Sequence, residues 1–393
     1  MTKSSTSPIL SRSQKQQSQN RLLKSAVLFS PILSPILSLF LFSASTSQAN
    51  PSGNLPLKKP SQVLPNNNSN NDQAIATKPP ILLGLYTTGY AGEQQIIDRE
   101  LRQVEEAAGK KHAIAGIFMD IQDENPNYNI GHRLELLREN GYTAFINLKS
   151  TYNAAAIARG DLDTDLRRVA NAVADWTKKG DGRMMFIAPL QEMNISGEAY
   201  SLDPANFKIA YKRFQQIFAE SGVPSKSVLW VFAPNGFSRV RNHDFENYYP
   251  SDAQVDIVGF SGYNWGYCPS PLNQRKLWDK PELAYEPYIK RMEKLAPNKP
   301  IFIAQMASSS YYSPQNSNNI AKDNWLYDTY KYFAASQSVQ AIIYFNIQKE
   351  CDWALSSQSQ TTTRNYRESV ADQTYGYIKP QNMPQFFKSL IKF

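Results

Sequence analysis

From residue 80 onward the sequence alternates between short runs of β-branched and aromatic residues and longer amphipathic stretches. The helical stretches include Gln94–Ala108, Leu162–Lys178, Pro204–Glu220, Leu283–Leu295 and Lys322–Ser336. Between them lie eight runs with strand character: Ile81–Thr88, Ile114–Ile121, Thr143–Leu148, Met184–Leu190, Val228–Pro234, Asp256–Gly262, Pro300–Gln305 and Ala341–Asn346. This alternation predicts an α/β fold, a single closed (β/α)8 TIM barrel. A doubly wound sheet is the alternative, but no glycine-rich phosphate loop follows the first run, which disfavours a nucleotide-binding version.

The segment before residue 80 has a different character. Residues 1–25 are polar and basic, residues 26–43 are apolar, and small residues at Ser47 and Ala49 fit a cleavage site before Asn50. These three parts predict a signal peptide over residues 1–49 and hence a secreted or cell-envelope protein. Uncleaved anchoring is the alternative, although Pro31 and Pro35 interrupt the apolar run and disfavour a membrane span. Residues 50–79 are rich in Asn, Pro and Ser and predict a disordered linker. The barrel with its C-terminal extension is expected to occupy residues 80–393.

The formal net charge of +8 lies mostly outside the predicted barrel. Residues 1–49 carry five cations and no acid, and residues 50–79 carry three cations and one acid, which leaves about +1 for residues 80–393. A nucleic-acid-binding domain is expected to carry its own basic excess, so nucleic acid is not an expected partner. The three histidines, His112, His132 and His243, lack metal-ligand spacing, and neither a metal nor another cofactor is expected.

The strand ends of the predicted barrel carry mostly amides and hydroxyls. In such barrels the loops after the strands build the active site. A rim with few charges suits a neutral polyol, and the chain's six Trp and 22 Tyr offer flat faces for sugar rings. The residues in question are Thr87, Thr88, Asp120, Asn147, Gln191, Glu192, Asn235, Tyr263, Asn264, Gln305 and Asn346.

Four segments, in order and with barrel spacing, resemble glycoside hydrolase family 26, the β-mannanase family. They are Arg183–Asn194, Trp230–Asn235 with Tyr248–Trp265, Lys299–Ala307, and Ala341–Trp353. Weaker resemblance at Gly84–Gly89 and Ala158–Leu162 extends it over roughly residues 81–355. The resemblance implies an exported glycoside hydrolase that acts on β-1,4-mannan or a related β-glucan by a retaining mechanism, in which two carboxyl groups about 5–5.5 Å apart flank the scissile bond.

The resemblance also assigns roles to residues. Glu192 stands at the acid/base position, within a family motif His-Glu-Met-Asn-Gly that reads Gln191-Glu192-Met193-Asn194-Ile195 here. The nucleophile position, a Glu that closes the seventh strand, is occupied by Gln305. An amide is a poor nucleophile and carries no charge to stabilise an oxocarbenium-like transition state. The alternative reading is therefore a catalytically impaired member that binds polysaccharide without hydrolysing it, and a third reading is an envelope protein that has kept only the barrel.

Binding residues are better preserved than the catalytic pair. The resemblance implies that Tyr263 hydrogen-bonds the nucleophile position, that Trp265 and Trp353 stack on sugar at the rim, and that Asn194 and Gln191 line the site. Asp120 also closes a strand and offers a base for an inverting scheme with Glu192, although a loop-capping role is favoured.

The two cysteines, Cys268 and Cys351, lie on loops at the same end of the predicted barrel. Export would permit a disulfide between them, and two buried free thiols are the alternative.

Overall fold

The computed structural model describes residues 78–88, 93–355 and 360–391. All of these belong to one compact unit, Ala74–Phe393. The predicted signal peptide and nearly all of the predicted linker lie outside the described residues, so both assignments stay predictions.

Eight parallel strands close into a barrel. The spatial order follows the chain from β2 to β8, and β1 pairs with both β8 and β2. Because β1 has a neighbour on each side, the sheet is closed, which confirms the (β/α)8 TIM barrel and excludes the open doubly wound alternative. The strands are β1 (Ile81–Tyr86), β2 (Ile114–Asp120), β3 (Thr143–Lys149), β4 (Met185–Pro189), β5 (Val228–Phe232), β6 (Ile257–Asn264), β7 (Ile301–Ser308) and β8 (Val339–Tyr344).

The strands are buried on both faces, since helices cover the outside and side chains fill the interior. Every residue of β1, β7 and β8 is buried, which explains why these runs read as continuously apolar rather than alternating. The interior contains large aromatic rings, and Tyr86 stacks on Phe118 with ring centroids 5.2 Å apart. A Cβ at Gly116 would lie 2.6 Å from the Tyr86 ring, so a glycine is required there.

Helices surround the barrel. The helix Pro204–Glu220 shows how the sequence specifies them: the Asp203 side chain accepts a hydrogen bond from the backbone N–H of Asn206 at 3.1 Å, and Pro204 occupies the first turn. The helices are α1 (Gln94–Ile96), which continues through a π-helical stretch (Ile97–Arg102) into α2 (Gln103–Ala108), then α3 (Arg133–Glu139), α4 (Ala154–Arg159), α5 (Asp163–Thr177), α6 (Pro204–Glu220), α7 (Pro281–Leu295), α8 (Asn319–Ala335), α9 (Gln360–Val370) and α10 (Met383–Leu390).

The C-terminal segment closes the end of the barrel at which the strands begin. A short strand β9 (Tyr375–Gly376) pairs with the start of β1. The Phe387 ring of α10 then packs against Phe186 and Phe302, with centroids 5.1 and 5.8 Å away. Because this end is plugged, the accessible end of the barrel is the opposite one, where the loops after the strands converge; we call this end the mouth.

A disulfide joins Cys268, in the loop after β6, to Cys351, in the loop after β8, with Cα atoms 6.2 Å apart. The possible pairing is therefore present, and it ties together two loops that flank β7. Among the described residues, no helix combines the length and the apolar character needed to cross a bilayer.

Candidate functional site

Glu192 lies in the loop after β4, on backbone held in an unusual conformation. Leu190 and Glu192 have φ angles of 54° and 55°, in the left-handed region that residues other than glycine rarely adopt. Such backbone costs about 1–3 kcal/mol and persists only where its surroundings fix it. Here the N–H of Leu190 donates to the carbonyl of Leu148 at 2.8 Å, and that of Glu192 donates to the carbonyl of Ala233 at 2.9 Å. The neighbouring strands β3 and β5 thus fix the direction in which Glu192 points.

The Glu192 side chain is half-buried, and its carboxyl group accepts a hydrogen bond from one amide. Asn235 Nδ2 donates to Glu192 Oε1 at 2.9 Å. Burial raises the pKa of Glu192 above its ordinary value, and the Asn235 hydrogen bond and the Ser261 side chain oppose this effect. A carboxyl group with a raised pKa suits the role of a proton donor to a leaving oxygen.

Asn194 and Asn235 form a reciprocal clamp between the loops after β4 and β5. Asn194 Nδ2 donates to the carbonyl of Asn235 at 2.8 Å, and the N–H of Asn235 donates to Asn194 Oδ1 at 2.8 Å. Asn194 is completely buried. The expectation that Asn194 binds substrate is therefore corrected: both ends of its amide are engaged by backbone, and it positions Asn235 against Glu192.

Gln305, near the end of β7, is fixed at both ends of its amide. Tyr263 Oη donates to Gln305 Oε1 at 2.8 Å, as the family resemblance implies for the residue at this position. Gln305 Nε2 donates to Gln191 Oε1 at 2.7 Å. Burial and then the charge of Glu192 raise the pKa of Tyr263 well above its ordinary value, so its hydroxyl stays protonated and remains a donor.

The three side chains Tyr263, Gln305 and Gln191 therefore form one neutral chain of hydrogen bonds. Gln305 is only 3% exposed, and Gln191 is buried as well. An ionised Glu at position 305 would have no proton to donate to Gln191 Oε1. The observed orientation of the Gln191 amide therefore depends on the presence of an amide at position 305. Two of the three departures from the catalytic motifs, Gln191 and Gln305, thus meet in a single contact.

The two tryptophans assigned to the rim have different environments. Trp265 is half-buried, and its ring packs edge-on against Trp353 with centroids 4.8 Å apart. Trp353 is 0% exposed, packs against Tyr263 at 5.3 Å, and donates from Nε1 to Glu350 Oε1 at 3.1 Å. Trp353 therefore has no exposed face for a sugar in this structure, which corrects its assignment as a stacking residue: it supports Trp265 and Tyr263 from behind.

Asp120, the alternative base, caps its own loop. Its Oδ1 accepts the backbone N–H of Gln122 at 2.9 Å, and burial is the main cause that raises its pKa. Lys149, its register neighbour on β3, forms an ion pair with Glu198 in the loop after β4. These contacts fit the favoured loop-capping role.

Sequence reasoning placed Asn235 at the rim but missed its contact with Glu192, and it did not single out Ser261. Asn235 lies in the loop just after β5 and β5 neighbours β4, so the topology alone could have suggested the first contact. Ser261 offered no signal, because it lies within an apolar run of β6.

Solved structures of glycoside hydrolase family 26 enzymes share this fold. A modular endo-β-1,4-mannanase from Cellulomonas fimi superposes with a TM-score of 0.55 at 15% identity, covering 76% of this chain and 72% of that chain. A β-mannanase of the same family from Bacteroides ovatus gives 0.54 at 14% identity, with 76% and 90% covered. The family 26 domain of an endo-β-mannanase/endo-β-glucanase from Prevotella bryantii gives 0.50 at 15% identity, with 77% and 91% covered. No known family profile and no curated protein matches the sequence. At these identities the likeness defines the fold, which is the fold of family 26 β-mannanases and agrees with the resemblance found in the sequence.

Proposed function

We propose that this protein binds a β-linked polysaccharide of the β-1,4-mannan class at the mouth of a family 26-type barrel, and that Gln305 prevents a retaining double displacement. The observation that carries the proposal is the Gln305–Gln191 hydrogen bond of 2.7 Å. It places a neutral, fully engaged amide where the resemblance expects a carboxylate nucleophile. The mouth keeps the fold of mannanases and glucanases, so a β-glycan is the ligand class that this fold favours.

The chemistry at position 305 supports binding over turnover. In a double displacement a carboxylate oxygen attacks the anomeric carbon and its charge stabilises the oxocarbenium-like transition state. Gln305 Oε1 accepts the Tyr263 hydroxyl and carries no negative charge, and Nε2 is committed to Gln191. Glu192 can donate a proton to the leaving oxygen, but position 305 offers no carboxylate to attack the anomeric carbon.

A second candidate function is an active hydrolase, and one observation favours it. Glu192 retains the raised pKa and the Asn235 partner that a general acid requires. On this reading the attack would come from a group other than Gln305.

Affinity electrophoresis in gels containing mannan, glucomannan or lichenan, run beside an assay for released reducing ends, tests the proposal. The expected result is retardation in at least one gel without measurable release. Robust release that Glu192→Gln abolishes would replace binding with hydrolysis. Migration unchanged in every gel would instead favour a structural envelope protein.

We also propose that the chain is exported and cleaved before Asn50. The basic, apolar and small-residue sequence of residues 1–49 supports this, and the Cys268–Cys351 bridge fits an oxidising compartment. N-terminal sequencing of the mature protein tests it: a mature chain that begins at residue 1 would contradict cleavage.

A further inference from the structure

An exposed aromatic residue is linked to Glu192 through the side chain of Asn235. The Asn235 side chain that donates to Glu192 also accepts, through Oδ1, the backbone N–H of Phe237 at 3.1 Å. One side chain therefore fixes Phe237 relative to the Glu192 carboxyl group. The Phe237 side chain is 41% exposed, although large apolar residues are usually buried. Its ring thus faces solvent beside the mouth.

Two guanidinium groups pack on this ring from two different loops. The Arg239 guanidinium carbon lies 5.9 Å from the Phe237 ring centroid, and that of Arg275 lies 5.2 Å from it. Arg239 belongs to the loop after β5 and Arg275 to the loop after β6. Arg239 Nη1 donates to Gln274 Oε1 at 2.6 Å, which joins the two loops. The cations are therefore held in place by packing and by a hydrogen bond, which lowers the entropic cost of binding an anion.

The positive charge of this surface is only partly neutralised. Arg275 forms an ion pair with Asp279 at 2.7 Å, whereas Arg239 donates to the neutral amide of Gln274. The facing segments, residues 236–243 and 272–277, contain four arginines and lysines and no acid. The predicted barrel as a whole has a net charge of only about +1, so this concentration of cations is local.

Apolar surface adjoins the cations. Leu272 and Leu277, in the loop after β6, are exposed like Phe237. Leu277 pairs with Gly266 by an isolated β-bridge, which brings this surface next to Trp265. Exposed apolar groups beside fixed guanidinium groups match a pyranose ring that carries a carboxylate, because guanidinium and carboxylate bond in a bidentate geometry.

We propose that Phe237, Arg239 and Arg275, named here the basic subsite, bind a uronic acid residue of an acidic β-glycan. The sugar ring lies against the exposed apolar surface, and its carboxylate accepts hydrogen bonds from Arg239, while Arg275, paired with Asp279, packs on the same Phe237 ring. This rests on the proposed function, and it extends the ligand class from neutral β-glycans to glycans with uronic acid residues.

The test compares glucuronoxylan with the same polymer after chemical reduction of its carboxyl groups, so that only the charge differs. In low salt we expect the wild type to bind the acidic form about tenfold more tightly, the scale of one hydrogen bond to a charged group. The preference should shrink as NaCl is added, because salt screens exposed charges. Arg239→Ala and Arg239→Gln should remove it. Arg167→Ala is the matched control, since Arg167 is an exposed arginine paired with Glu220 on the outer helices, and it should keep the preference.

Three results would overturn the basic subsite: equal wild-type affinity for the two polymers, a preference that survives both Arg239 variants, or competition by dextran sulfate as effective as by glucuronoxylan at equal charge. Mannan binding is measured on the same samples. If it persists while the acidic preference fails, the subsite alone is wrong. Loss of all glycan binding by the wild type would instead remove the proposed function on which the subsite rests.

Discussion

Gln305 Nε2 donates to Gln191 Oε1 at 2.7 Å, so the residue at the nucleophile position of the resemblance and the residue before its acid/base position are one hydrogen-bonded pair. The resemblance implies a Glu and a His at these positions, and the two substitutions replace a charged arrangement with a neutral one. If position 191 were His, Gln305 Nε2 would face a ring nitrogen in place of the amide oxygen of Gln191. The pair is best understood as a single change in the chemistry of the site.

A double-mutant cycle on Gln191→Ala and Gln305→Ala tests this pairing. Because both amides are buried, we expect a coupling of about 1 kcal/mol in the free energy of unfolding, the typical contribution of a buried hydrogen bond. Urea denaturation measures it. Gln94 and Asn140 form a control pair nearer the surface, with amides 3.1–3.2 Å apart, and their coupling should be close to zero. Equal coupling in both pairs would show that burial does not strengthen the hydrogen bond between Gln191 and Gln305.

The raised pKa of Glu192 predicts a pH-dependent cost to stability. Because the pKa of Glu192 is higher in the folded state than in the unfolded state, the folded protein binds the proton more tightly. The contribution of this proton to the free energy of unfolding is greatest below the unfolded pKa, and it is lost as pH rises through the folded pKa. Glu192→Gln keeps an acceptor for Asn235 but cannot ionise. Its stability relative to wild type should therefore rise with pH above about 4.5. A difference between the two proteins that stays constant with pH would contradict the raised pKa of Glu192.

Trp265 and Trp353 should respond differently to truncation. Trp265→Ala should weaken oligosaccharide binding by about 1–3 kcal/mol, because its half-buried ring can contact a sugar, and should cost less stability. Trp353→Ala should lower the free energy of unfolding by about 3–5 kcal/mol, because it empties a fully buried site. Calorimetric titration and thermal melting measure the two effects. Unchanged affinity in Trp265→Ala would remove this residue from the binding surface.

Removal of the disulfide should destabilise the protein. The bridge closes a loop with a sequence separation of 83 residues. Cross-links of this kind typically contribute about 2–4 kcal/mol, mainly by restricting the unfolded chain. The double variant Cys268→Ser with Cys351→Ser should show that loss in denaturant melts, and wild type under reducing conditions should match it. Two titratable thiols in protein purified from an oxidising compartment would show that the bridge does not form there.

The barrel could be predicted from the sequence because its signal is repetitive. Each strand is a short apolar run and several outer helices have a clear amphipathic period, so Pro204–Glu220 was predicted with the bounds it has in the structure. The short helices Arg133–Glu139 and Ala154–Arg159 were not predicted, since one or two turns carry little periodicity.

The site was predictable only in part. The strand-end rule and the resemblance located Glu192, Gln305 and Tyr263. The sequence could not reveal that Trp353 is buried, nor that Asn194 is engaged by backbone, because both depend on how loops from different strands pack. The contact between Gln191 and Gln305 joins residues 114 positions apart, and no local pattern encodes it.

The central claim is that Gln305 prevents hydrolysis, and the activity of the Gln305→Glu variant tests it most directly. The substitution restores a carboxylate at the nucleophile position, and Gln191 must then turn its Nε2 toward it to keep their hydrogen bond. We predict that wild type releases no measurable reducing ends from mannan, glucomannan or lichenan. Gln305→Glu should release them from at least one with retained anomeric configuration, as NMR of the first products can show. Adding Gln191→His and Ile195→Gly should increase the rate, and adding Glu192→Gln should abolish it. Rapid wild-type turnover, whether or not Glu192→Gln affects it, would contradict the claim, and so would a folded, glycan-binding triple variant that releases nothing.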